Sequence, residues 1–363
     1  AIPSMPENER PRPDRPLARR RRHAAGAKPA GPEVIEVIRG AMVESRHLAT
    51  IAVVDAKGKV VMAAGDIEAP IFPRSAVKPI QALALIETGA AEAFGLGDRE
   101  IALACASHGG EAAHVGAVLD WLSGIGCGED DLECGPHPPL VEAANQALTR
   151  EGRAPSAVHN NCSGNHAGFL SVARHLGDDT KGYIGLTHPV QQRALGILEQ
   201  MTGVDLADAP RGIDGCGIPV IGVGLGNLAL AMARFADTAE LPEGRRQAVA
   251  RICAAMAGEP QMAGGAGRFT TRVLEAAGDK ALVKGGAEGV YVAALLELGL
   301  GIAIKVDDGA KRASETVMAH LLRRFEVLDD ETMEGLGDLQ EPRVTNFAGE
   351  VVGHIKLSAK PPI

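Results

Sequence analysis

The sequence predicts an α+β fold whose sheet is built from both ends of the chain, with a helical insertion between. Three observations carry this. Strand-like segments fill 34–66, helical segments dominate 75–257, and strands return over 281–306 with a helix behind them at 310–325. Strands, then many helices, then strands and a helix suit a layered α+β architecture.

Each element has a local reason. Leu48-Ala-Thr-Ile-Ala-Val-Val54 and Lys59-Val-Val-Met62 flank Asp55-Ala-Lys-Gly58, a turn sequence. Pro70-Ile-Phe-Pro73 reads as an extended linker. A helix is expected from near Ser75 through Ile80, Leu83, Leu85 and Ile86 towards Gly89, with Pro73 suited to its entry. Residues 98–126 read as a helix, a loop at Ser107-His-Gly-Gly110 and a second helix through Val115 to Leu122. Residues 128–162 read as loop and short helix, with His137-Pro-Pro139 as a breaker. Further helices are expected over 165–175, from His188-Pro-Val190 to Met201, and over 243–257. Ala281-Leu-Val-Lys284, Val290 to Ala293 and Gly301 to Val306 read as strands. No internal repeat is visible.

Composition sets the class. The 363 residues are 45% apolar and 23% charged, ample for a full core in a soluble globular protein. Aromatics make up only 3%, too few for a single-strand nucleic-acid stacking surface. The net charge of −9 disfavours a nucleic-acid or anionic-membrane surface. That charge is uneven, with residues 1–32 at +5 and the remainder at −14. The basic segment holds Arg19-Arg20-Arg21-Arg22 and is rich in proline, so it is expected to be a disordered tail. It could be a nucleic-acid or targeting arm, or a dispensable extension. No apolar run of a secretory signal follows the arginines. Gly215 to Ala233 is uncharged but holds five glycines, Pro219 and Asn227, and reads as buried strand, loop and helix start rather than a membrane span. Six cysteines are too few for a disulfide scaffold of this length, which points to a reducing, cytoplasmic compartment.

Four constellations could carry chemistry. Ser75-Ala-Val-Lys78 places a lysine amine three residues from a serine on one helix face. A serine needs a base, and a lysine can serve only when burial or a second cation lowers its proton affinity. Taken alone, the motif is equally a helix-capping serine and a solvated lysine. Ser107-His108-Gly109-Gly110 ends an apolar run against two glycines, as in a crowded ligand site or an ordinary turn. Lys284-Gly285-Gly286 ends a strand. S-x-x-K, then a serine motif, then a lysine on a strand is a recurring order in serine acyl-transferring enzymes. This chain lacks the Asn of S-D-N and has Gly for the Thr of K-T-G, so nothing points specifically to penicillins.

The fourth constellation joins Asn161-Cys162-Ser163-Gly164-Asn165-His166 to Ile213-Asp214-Gly215-Cys216. Two thiolates from separate loops make half of a tetrahedral zinc site, or two buried free thiols. His166 is open to a site role or a core role, and Asp214 to orienting a partner or forming a turn.

These motifs together resemble the rhizobial-type L-asparaginases, the asparaginase II family. The resemblance rests on Glu44-Ser-Arg-His47, Arg74-Ser-Ala-Val-Lys-Pro79, Ala106-Ser-His-Gly-Gly110, Asn161 to Gly168, Ile213-Asp-Gly-Cys-Gly217, Gly265-Ala-Gly-Arg-Phe269 and Val283 to Gly289, in that order. It covers roughly 34–358 and leaves out the tail. It implies a serine β-lactamase/glutaminase-like fold, with an antiparallel sheet and a helical subdomain in a catalytic domain over 33–363. It also implies a homodimer that hydrolyses L-asparagine to L-aspartate and ammonia. Carried over residue by residue, it implies Ser75 as nucleophile with Lys78 as base, its charge suppressed by Lys284. Ser107 and Lys284 would form a second Ser–Lys pair, and Arg74, His166 and Asp214 would hold the substrate. It further implies zinc on Cys162, Cys216 and a lysine whose position here is Asn165. A neutral amide is a poor zinc ligand, so the departure weakens that site. The competing readings are a glutaminase or a β-lactamase-like amidase or esterase, an idle ligand-binding member, and a nucleic-acid-associated protein using the tail.

Overall fold

The computed structural model describes residues 31–359. All but the last two residues of the expected basic tail lie outside them. The strands are β1 (Glu33–Arg39), β2 (Met42–Asp55), β3 (Val60–Ala64), β4 (Pro70–Ile71), β5 (Arg211–Ile213), β6 (Pro219–Ile221), β7 (Val223–Gly224), β8 (Ala281–Gly285), β9 (Val290–Leu295), β10 (Leu300–Val306), β11 (Arg343–Thr345) and β12 (Val351–Leu357). The main sheet runs β11-β12-β1-β2-β10-β9-β8, with β3 also on β2, and every pairing is antiparallel. The first strand therefore lies between the second and the last, and the sheet is closed from both chain ends as the sequence predicts.

β2 explains how one strand serves two environments. Its first half pairs with β1 and is partly exposed, and its second half pairs with β10 and β3 and is buried on both faces. The β-branched residues Thr50, Ile51, Val53 and Val54 fall in that second half, where such residues pack well. Burying each of Ile51, Val53 and Val54 contributes roughly 1.5–3 kcal/mol. The turn after β2 is held by Asp55, whose carboxylate accepts the Lys57 and Lys59 N–H groups at 2.9 Å. Helices Leu225–Ala236 and Lys311–Arg324 both pack against β10. The first comes so close that a Cβ on Gly301 would lie 2.0 Å from the Ala229 carbonyl oxygen.

Most expected helices are present: Asp98–Ala104, Ala112–Gly124, Ser163–Leu176, Pro189–Thr202 and Glu243–Gly258. The single helix expected from Ser75 is instead a 3-10 turn, Arg74–Val77, followed by Lys78–Gln81 and Leu83–Glu87. Pro79 is the reason. It has no N–H to return to the Ser75 carbonyl, which the Lys78 N–H takes instead as a tighter bond. The expected linker Pro70–Pro73 contributes a short strand, β4, paired with β7. Helices Phe269–Ala277 and Asp330–Gly335 and strands β11 and β12 went unread in the sequence. The stretch Gly215 to Ala233 is β6, β7 and most of a helix, as expected. Among the described residues no helix is long and apolar enough to cross a membrane.

Candidate active site

Ser75 sits on the tight turn between β4 and the first helix, half-buried. Arg74 before it has φ +52, one of three non-glycine residues in the left-handed region among those described. Such a conformation costs an L-residue roughly 1–2 kcal/mol and fixes how the turn presents Ser75. Gly286 lies against the turn from the end of β8. A Cβ there would stand 2.6 Å from the Pro73 carbonyl oxygen and 3.2 Å from the Ala76 nitrogen. Ser75 Oγ makes no hydrogen bond among the described residues, whereas the three other predicted Ser–Lys members form a tight group.

Ser107 is the centre of that group. Lys284 Nζ donates to Ser107 Oγ at 3.0 Å, and Lys78 Nζ reaches the same oxygen at 3.3 Å. Lys78 also donates to the Ala106 carbonyl at 2.6 Å, and Lys284 to that of Gly285 at 2.6 Å. Both lysines are buried, at 1% and 2% exposure. Burial first, then the Lys78 and Arg268 charges, hold the Lys284 amine well below the usual lysine range. The sequence reading has a lysine charge suppressed by a second lysine; the structure shows that suppression at Lys284, with the Lys78 and Arg268 cations beside it. A neutral amine on a serine hydroxyl can accept and return a proton.

Arg74 and Asp214 are brought together as a fork: Nε to Oδ2 at 2.9 Å and Nη2 to Oδ1 at 3.0 Å. Burial pushes the Asp214 carboxyl up, but the Arg74 hydrogen bond and charge outweigh it and hold it below its ordinary value. Behind the pair lies a cavity of about 40 Å³, also lined by Gln81 and Gln191. Gln81 Oε1 and Gln191 Nε2 are buried without partners among the described residues. That volume suits a water or two.

Cys162 and Cys216 also meet, thiol to thiol. The Cys216 hydrogen bond, with Lys78 adding to it, draws Cys162 towards thiolate, while Cys216 is pushed up. All six cysteines are unpaired. The donor set does not fit a tetrahedral zinc ion. Among the described residues, no group of three or more His, Cys, Asp or Glu is placed to hold a metal. Asn165 donates its Nδ2 to the Ala104 carbonyl at 3.1 Å and leaves only a neutral amide oxygen, Oδ1, unpartnered.

His166 is fully buried. Its Nδ1 is 2.6 Å from the Tyr183 hydroxyl, which itself accepts the Glu133 N–H. The hydroxyl therefore donates to Nδ1, and the proton of the neutral ring sits on Nε2, which has no partner among the described residues. Burial, then the Lys78 charge, holds this ring at about 3, so it stays neutral.

Sequence reasoning gave no role to three residues around the site. His108 Nδ1 accepts the Gly110 N–H and Nε2 donates to Ser163 Oγ at 2.8 Å, pinning the Ser107 loop to the helix start. Tyr183 fixes His166. Arg268 donates to the Ser107 carbonyl oxygen. Of the three, His108 and Arg268 carried a signal, as parts of Ala106-Ser-His-Gly-Gly110 and Gly265-Ala-Gly-Arg-Phe269, and Tyr183 carried none.

The sequence profile of the family described as L-asparaginase II matches residues 35–357. No curated protein matches the sequence. Among solved structures, Mglu in its native form is 17% identical over 78% of this chain and 67% of that chain, with a TM-score of 0.43. A beta-lactamase from Mycobacterium bovis is 15% identical over 75% of this chain and 94% of that one, with a TM-score of 0.36. D-alanine carboxypeptidase AmpC from Burkholderia cenocepacia is 14% identical over 75% and 91%, with a TM-score of 0.38. The chain spans about two thirds of the Mglu chains it matches. The profile match runs from within β1 to the end of β12 and takes in the whole lysine–serine group, so this chain belongs to the L-asparaginase II family, hydrolases that act on amides.

Proposed function

We propose that the protein hydrolyses L-asparagine to L-aspartate and ammonia through an acyl-enzyme on Ser75. The observation that supports this most is the buried group Lys78–Ser107–Lys284, whose Lys78 lies three residues along from Ser75, with the Lys284 amine held well below the usual lysine range. Ser75 Oγ attacks the side-chain amide carbon. Its proton leaves through Ser107 to Lys284, which replaces Lys78 as the base of the sequence reading. Lys78 holds Ser107 Oγ and the Ala106 carbonyl in place. The Ser75 N–H donates to the developing oxyanion. The C–N bond then breaks, Ser107 returns the proton to the leaving nitrogen, and ammonia departs. Water attacks the ester, giving aspartate and restoring Ser75.

Arg74 and Asp214 bind the charged end of the substrate. Arg74 uses Nε and Nη2 on Asp214, which leaves Nη1 for the α-carboxylate. Asp214 is the carboxylate for the α-ammonium. His166 Nε2–H, without a partner among the described residues, is a spare donor beside them. No step uses zinc, because the donor set stops at two thiols. A cytoplasmic homodimer belongs to the same proposal, to be checked by fractionation and sedimentation.

Ammonia release from L-asparagine and L-glutamine, with and without added zinc, tests the reading. Turnover of asparagine well above glutamine, unchanged by zinc, is expected. Preference for glutamine, or hydrolysis of a chromogenic β-lactam in place of both, would replace it. Asparagine that binds without turnover would make the protein a binding member of the family.

A further inference from the structure

Arg268 is half-buried on the segment before helix Phe269–Ala277. Its Nη1 donates to the carbonyl oxygens of Ser107 and, at 3.2 Å, of Gly264. The segment is docked on the Ser107 loop at a second point, where the Ala266 N–H meets Glu111 Oε2 at 3.0 Å. It is anchored behind by Thr271 Oγ1 on the Gly265 carbonyl at 2.7 Å. Ser107 is thus held from both ends, by two amines on its hydroxyl and a guanidinium on its carbonyl.

We propose that Arg268 is a positioning residue of the Ser–Lys machinery: its guanidinium fixes Ser107 through the serine's own carbonyl and keeps the hydroxyl in line with Lys284.

The same guanidinium adds positive charge beside Lys284. The ionisable groups that act most strongly on Lys284 are Lys78, Arg268, Cys162 and Cys105, and burial keeps Cys105 a thiol. Around Arg268 stand Tyr291, Glu315 and Glu111. Tyr291 is buried and its proton is held, and burial raises Glu315. Arg268 therefore acts on Ser107 by hydrogen bonding and on Lys284 by charge, two effects that separate on substitution.

The inference rests on the proposed amide hydrolysis only for its kinetic readout. The test uses the full chain as parent, Arg268→Met and Arg268→Lys, each grown with ¹³C-lysine, with Lys284→Met to assign the Lys284 resonance. The titration midpoint of Lys284 is read by NMR without substrate, and kcat and KM for ammonia release are read against pH. Arg268→Met is expected to raise the midpoint by about one pH unit, to carry the acidic limb of the rate profile with it, and to lower kcat by roughly 100-fold. Arg268→Lys keeps the charge and loses the planar fork, so its midpoint should stay near the parent's while kcat falls and KM does not change. If Arg268→Met does not fold, Arg268→Lys alone decides through its kcat. A parent-like midpoint and kcat in Arg268→Met, or a parent-like kcat in Arg268→Lys, overturns the proposal. A parent that releases no ammonia defeats the asparaginase reading, while a parent-like Lys284 midpoint in Arg268→Met still overturns the proposal.

Discussion

Lys284 and Ser107 are 177 residues apart in the chain, yet Lys284 Nζ lies 3.0 Å from Ser107 Oγ. The sheet makes the meeting possible. β8 is its last strand, and Lys284 stands near the end of β8 that lies against the Ser75 turn. The Ser107 loop is carried there by helix Asp98–Ala104 and pinned by His108. A strand end, a loop and a tight turn thus converge on one hydroxyl.

Lys284→Met should lose activity and gain stability at neutral pH. The loss of kcat is expected to be roughly 10²–10⁴-fold, the usual worth of a proton-transfer group. The stability sign follows from the suppressed amine. Between its native value and the ordinary 10.5, the unfolded chain holds a proton that the folded chain does not, so stability rises with pH across that window. At lower pH burial of the amine is a net cost, and a methionine removes it. A thermal melt at pH 7 with a higher midpoint for the variant checks this, alongside the ammonia assay.

Arg74→Lys should weaken substrate binding more than chemistry. Lysine cannot reproduce the two-pronged contact with Asp214, and it places a point charge where the substrate carboxylate needs a plane of donors. KM is expected to rise roughly tenfold to 100-fold with a smaller fall in kcat, read from initial rates. The ion pair also has a pH signature. Asp214 is held below 3.8, so its contribution to stability is present above that value and is lost as pH falls through the lower folded one. Arg74→Lys should flatten that acid limb of the stability curve.

Much of this was legible in the sequence, for particular reasons. Ser75 and Lys78 were legible as a pair three apart, but the Lys78 amine bonds the Ala106 carbonyl and the Ser107 hydroxyl rather than Ser75. Lys284 and Ser107 were legible as an ordered motif set, and Cys162 with Cys216 as paired Gly-rich loops. What was lost depended on contacts distant in sequence. β12 has its meaning only through pairing with β1 and β11, and Val351-Val-Gly-His-Ile-Lys-Leu357 alternates too weakly to announce it. The lowered proton affinity of Lys284 depends on its burial and on the Lys78 and Arg268 charges beside it, which spacing does not encode. Arg74 and Asp214 were read as separate substrate groups because nothing local shows that they face each other.

Gly286→Ala should damage the site without melting the fold. Its Cβ would stand 2.6 Å from the Pro73 carbonyl oxygen, backbone that carries Ser75. Relieving that contact by a shift approaching about 1 Å in the turn should lower kcat by roughly 100-fold. The thermal midpoint should change far less than for Gly301→Ala, whose Cβ would drive into the backbone of helix Leu225–Ala236. Melting curves and rates on the two variants separate the effects.

Asn165→Lys should confer zinc binding. The substitution offers an amine donor next to Cys162 and Cys216, where the chain now offers a neutral amide. After dialysis, zinc per chain by elemental analysis is expected to be near one for the variant and far below one for the parent. Chelator should leave the parent's ammonia release unchanged.

The central claim is that Ser75 carries the acyl group. Acid-quenching the reaction with L-asparagine and mapping the modified peptide by mass spectrometry tests it most directly. The account predicts a mass increase of one aspartyl group on the peptide holding Ser75, absent in Ser75→Ala, with ammonia release from that variant lowered by roughly 10⁴–10⁶-fold. An aspartyl group on the Ser107 peptide, or undiminished turnover by Ser75→Ala, would contradict it.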